Sequence, residues 1–60
     1  MRNVAEILMK RDSISAEEAK YLIDSCIQAM EEVGYEPAEC EEILMDHLGL
    51  EPDYLIDLLY

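Results

Sequence analysis

Sixty residues, 52% hydrophobic and 32% charged, suffice for one small packed core and exclude a large enzyme fold or a membrane-spanning bundle. Fifteen acids against four bases leave a net charge of −11, which excludes nucleic acid and anionic membrane surfaces as favourable partners. With two Gly, two Pro and no low-complexity run, nothing reads as a linker, so residues 1–60 form a single domain.

Asn3 is placed to cap a first helix over 3–11, with Glu6 completing a capping-box spacing. Val4, Ile7, Leu8 and the aliphatic stem of Arg11 share one face. Asp12 to Ser15 then reads as a turn. Ser15-Ala16-Glu17-Glu18 is a second capping box, with Ile14 as an apolar staple before it. Ala19, Leu22, Ile23, Cys26, Ile27, Met30 and Val33 recur at spacings of three and four, which predicts a long amphipathic helix over 16–33. Gly34 closes it in the left-handed conformation.

Gly34-Tyr35-Glu36-Pro37 is echoed fifteen residues later by Gly49-Leu50-Glu51-Pro52. In each unit glycine ends a helix, an apolar residue tucks back, and proline takes the first position of the next helix. The spacing predicts helices over 37–48 and 52–59. Helix three presents Cys40, Ile43, Leu44, His47 and Leu48 to the core and Glu39, Glu42 and Asp46 to the opposite side. Helix four offers Leu55, Leu58 and Leu59 inward and Asp53 and Asp57 outward, with Ile56 and Tyr60 beside the stripe. The expected fold is all-α, a small antiparallel mini-bundle of four helices with short Gly/Pro loops.

Charge is unevenly placed. Arg2, Lys10, Arg11 and Lys20 are balanced over the first twenty residues by Glu6, Asp12, Glu17 and Glu18. The last forty residues hold eleven acids and no Lys or Arg. They cannot pair among themselves, so self-repulsion opposes the fold unless salt, water or a partner intervenes. The N-terminal residues lack the apolar run of ~7–15 residues that a signal peptide needs, and no stretch approaches the ~18 apolar residues of a membrane span. A cytoplasmic location is expected, with Cys26 and Cys40 kept as buried thiols.

Catalytic chemistry has little to stand on. There is one histidine, no phosphate-binding glycine loop and no nucleophile motif. Asp46 and His47 are adjacent on a helix, so they diverge by about 100° and form no dyad. His47 reads instead as a half-buried packing residue near a helix C-terminus. Cys26, Cys40 and His47 lack the tight spacings of zinc ligands, and the carboxylates lack the alternation and central glycine of an EF-hand loop. No cofactor and no metal is expected.

A protein-interaction role fits the pattern better. Glu39, Glu42 and Asp46 extend over about ten ångströms of helix at ~1.5 Å per residue, a face for a basic partner protein. Ile56 and Tyr60, four apart, add apolar area to that candidate surface. The same row of carboxylates also admits a second reading as a mimic of nucleic-acid phosphates, inhibiting a DNA- or RNA-binding protein. A third reading is a small homo-oligomeric structural protein, built through the apolar C-terminus.

Met30-Glu31-Glu32-Val33-Gly34-Tyr35 resembles the loop between the first two helices of ubiquitin-associated domains, where Met-Gly-Phe/Tyr is usual. Leu58-Leu59 falls where those domains carry a terminal dileucine. The resemblance spans residues 30–59, has Val33 in place of the methionine, and lacks the alanines usual in that family's second and third helices. It implies an apolar recognition surface of Gly34, Tyr35, Leu58 and Leu59. Read from the residues alone, Gly34 is a capping glycine and Tyr35 its hydrophobic tuck. In overall style the chain also resembles the short acidic helical proteins of bacterial genomes and mobile elements, which implies no particular activity.

Overall fold

The computed structural model describes residues 2–59, an all-α bundle with consecutive helices packed on one another. Helix α1 spans Val4–Asp12, α2 Ala16–Glu32, α3 Pro37–Leu48 and α4 Leu55–Leu59, the last preceded by a 3-10 turn, Pro52–Tyr54. Each long helix begins where its cap predicts. The Asn3 side chain accepts from the Glu6 backbone N–H at 3.1 Å, Ser15 Oγ from Glu18 at 3.1 Å, and the Glu36 carboxylate from Glu39 at 2.9 Å. These bonds satisfy N–H groups that a first helical turn leaves without partners.

Gly34 and Gly49 both adopt positive φ, +65° and +64°, as their position ahead of Glu-Pro requires. Around Gly34 the closure is a Schellman motif. The Tyr35 N–H reaches Met30 O at 2.9 Å and the Gly34 N–H reaches Glu31 O at 2.9 Å. Tyr35 follows at φ 57°, a second left-handed residue and one that carries a side chain. The first helix closes on Ser13, also left-handed at φ 54°, so it runs one residue past its expected end to Asp12.

The core comprises Val4, Leu8, Ala19, Cys26, Met30, Cys40, Leu44, Leu48 and Leu50. It lies along the α2–α3 seam, with α1 laid across α2. Leu50 tucks back onto this core as the Gly-Leu pattern predicts, and Cys26 and Cys40 are buried free thiols.

Three expectations are corrected. The fourth element is not one helix over 52–59 but a 3-10 turn followed by five α-helical residues. A segment that short nucleates poorly and takes its form from packing. Accordingly Leu55, Leu58 and Leu59 are half-buried against the core rather than inside it. His47 is exposed: the buried seam of α3 runs through Cys40, Leu44 and Leu48 at four-residue spacing, and His47 diverges about 100° from Leu48. Asp57 turns inward, its side chain only 8% exposed.

Arg2 finds its partners far along the chain. Its backbone N–H meets Asp57 at 3.0 Å, its Nε at 2.7 Å, and its Nη2 reaches Asp53 at 3.3 Å, while its guanidinium lies 3.8 Å over the Tyr54 ring. Arg11 pairs with Asp12 at 2.9 Å and donates to the Gly49 carbonyl at 3.3 Å. Two N-terminal arginines thus tie α1 to both ends of the segment that follows α3.

Candidate interaction surface

Helix α3 sets the surface. Pro37 opens it with a fixed φ, the Glu36 cap holds its first turn, and the Gly49 N–H closes it on Met45 O at 2.9 Å. Because Cys40, Leu44 and Leu48 face inward, Glu39, Glu42 and Asp46 face outward and are exposed. Among the described residues the ion pairs are Arg2–Asp53, Arg2–Asp57 and Arg11–Asp12, so none involves an α3 carboxylate. The three acids border a shallow depression of about 240 Å³ whose apolar floor is Val33 and Ile43. The carboxylates anticipated as a group are therefore brought together, on an apolar base that connects α2 to α3.

Ile56 is 62% exposed on α4 and does not line this depression. Tyr60 lies outside the described residues. The anticipated surface is thereby divided: the acids form one patch and Ile56 stands apart from it.

A second, more apolar cleft opens beside the α2–α3 corner. Tyr35, Pro37, Cys40, Leu55 and Leu59 line about 350 Å³. Residue patterning alone did not mark this site, since it depends on how α4 returns to the start of α3. Of the pair Leu58-Leu59, only Leu59 shares the cleft with Tyr35. Leu58 borders a different depression with Arg2, Val4, Ile23 and Asp57.

The electrostatics follow from burial and charge. Burial pushes the Cys26 thiol up to about 11, with Cys40 contributing further. Cys40 is raised as well, by burial first and then by the carboxylates of Glu36 and Glu39. Neither thiol is therefore disposed to form the thiolate that nucleophilic or ligand chemistry requires. Among the described residues no cluster of three or more His, Cys, Asp or Glu has a metal-holding arrangement, and no helix is long and apolar enough to cross a membrane. No protein family, curated protein or solved structure matches the chain.

Proposed function

We propose that this chain is a small binding module that recognises a basic protein partner in the cytoplasm and performs no catalysis. The observation that carries the reading is the outer side of α3, where Glu39, Glu42 and Asp46 stand exposed over the Val33–Ile43 floor. Carboxylates in that position steer a basic partner into register, and the apolar floor then holds it. Charge governs the association rate and apolar contact the dissociation rate. Like charge on two copies opposes self-association through this face, and the same field repels nucleic acid and anionic lipid.

A basic partner can be any protein with a cationic groove, including one that binds nucleic acid. The row of three carboxylates along α3 gives that narrower reading, phosphate mimicry, its support. Substitution of Glu39, Glu42 and Asp46 by Gln tests the proposal. Capture of partner proteins from a host lysate should weaken as salt rises, and the triple variant should lose that salt-sensitive fraction while keeping its helicity. Equal capture by the triple variant would remove the α3 face from the reading. Competition by duplex DNA for the captured partner would favour the mimicry form.

A further inference from the structure

The cleft beside the α2–α3 corner has three properties that bear on an occupant. Its walls are apolar and open: Tyr35 is 47% exposed, and Leu55 and Leu59 on α4 are half-buried. At about 350 Å³ it lies near the lower end of ligand-sized pockets, room for one or two large side chains.

Its aromatic wall is held at a backbone cost. Tyr35 sits at φ 57°, a conformation in which a side chain costs roughly 1–2 kcal/mol and glycine costs nothing. Gly34 already supplies the left-handed turn that closes α2, so Tyr35 extends the turn with a residue poorly suited to it. Strain of this kind points to a use for the side chain.

Its rim is negative. Glu36 stands between the lining residues Tyr35 and Pro37, and Glu39 directly precedes Cys40. Both are exposed, and the Glu36 carboxylate accepts from the Glu39 N–H at 2.9 Å, so the two acids lie side by side next to the cleft. Helices α3 and α4, which line the cleft together with Tyr35, contain no Lys or Arg, and Arg2 and Arg11 are engaged with Asp57, Asp53 and Asp12. An apolar occupant without positive charge would leave this rim uncompensated.

We infer that the cleft lined by Tyr35, Pro37, Cys40, Leu55 and Leu59 is the docking site for a short linear segment of a partner protein. That segment carries one large apolar side chain flanked by Lys or Arg. The apolar side chain inserts between Tyr35 and Leu59, and the flanking cations meet Glu36 and Glu39. The inference rests on the basic-partner reading above and adds a second contact to it, distinct from the Glu42–Asp46 end of α3.

Four fluorescein-labelled hexapeptides separate the parts: Leu-Phe or Ala-Ala at the centre, flanked on each side by two Lys or two Ser. Fluorescence anisotropy at low salt gives affinities, and amide chemical shifts give the location. The Lys-flanked Leu-Phe peptide should bind at least about tenfold tighter than each control, as expected for burying one or two apolar side chains beside opposite charge. Shifts should centre on Tyr35, Cys40, Leu55 and Leu59. Tyr35→Gly removes the ring while relieving the backbone, so it should weaken the peptide about fivefold or more without lowering the melting temperature. Tyr35→Asn, tolerated in the left-handed region, serves if the glycine variant is too loose.

Equal binding of the Lys-flanked Ala-Ala peptide would overturn the cleft and leave the basic-partner reading standing. Equal binding of the Ser-flanked Leu-Phe peptide would overturn the basic occupant and weigh against that reading too. Shifts centred elsewhere, no binding by any peptide, or full affinity in both Tyr35 variants would also overturn the proposal. Concentration-dependent shifts in the cleft without peptide would assign it to a second copy instead.

Discussion

Arg2 and Asp57 are fifty-five residues apart in sequence and joined twice in space, through the Arg2 backbone N–H at 3.0 Å and Nε at 2.7 Å. The Arg2 backbone N–H, with the guanidinium beside it, holds the Asp57 carboxyl below the ordinary carboxylate range, and the Arg2 guanidinium is raised in turn, foremost by its bond to Asp57. Because Asp57 is depressed in the fold, the pair contributes stability above the unfolded carboxylate value, about 4, and loses it as pH falls through the lower folded value. Asp57→Asn should therefore lower the melting temperature at pH 7. The gap from the parent protein should narrow as pH falls below the ordinary carboxylate range. A gap constant from pH 7 to pH 2 would show that the charge on Asp57 is not what matters.

Salt should act in the opposite direction on the rest of the molecule. Eleven acids in the last forty residues repel one another, and ionic strength screens that repulsion. Thermal melts at neutral pH should rise between about 10 mM and about 200 mM sodium chloride. The rise should be larger in Asp57→Asn, which has no Arg2–Asp57 attraction left to be screened. A flat or falling curve in both proteins would count against repulsion as a significant term.

The two left-handed glycines make a matched pair. A Cβ added at Gly34 meets nothing within 4 Å, and one added at Gly49 meets Arg11 Nη1 at 3.4 Å, an ordinary contact. Gly34→Ala and Gly49→Ala should therefore cost similar amounts, about 1–2 kcal/mol each from backbone strain alone. Gly34→Val should cost more, its branched carbon being stiffer. Urea denaturation measures this, with unchanged dependence on denaturant showing that the native fold is kept.

At alkaline pH the buried thiols dominate. The fold keeps Cys26 protonated up to about 11, whereas an unfolded thiol ionises near 8.5. Above that value the unfolded chain binds fewer protons, so stability falls as pH rises, by up to roughly 3 kcal/mol from Cys26. Cys26→Ala should flatten the slope between pH 8.5 and 11, whatever it costs in packing. A slope of equal size in that variant would place the titration elsewhere.

Local chemistry explains which parts of this structure are readable from the chain. Asn3, Ser15, Gly34 and Gly49 act through bonds spanning three to five residues and Pro37 through its own fixed φ, so their pattern marks helix ends directly. The inward face of α3 is readable for the same reason, and with it the outward Glu39, Glu42 and Asp46. His47 fails because helical spacing gives a direction and not the width of the covering neighbour. Charge counted along the chain gives a local balance but names no partners, and it is the fold that brings Asp57 to Arg2. The Tyr35–Leu59 cleft depends on the return of a five-residue helix whose place is fixed by tertiary contact alone.

The Arg2–Asp57 clasp also bears on the order of assembly. Helices α2 and α3 are joined by a short turn and form the most extensive helix–helix packing, so they can meet before much chain entropy is lost. The clasp closes nearly the whole chain and has nothing to hold until that pair is docked. Arg2→Ala should consequently leave the refolding rate close to that of the parent and speed unfolding, a φ-value near zero. Leu44→Ala, cut from the middle of the α2–α3 seam, should slow refolding. Stopped-flow chevrons of the two variants would show whether the molecule is sealed from its ends only after its middle has formed.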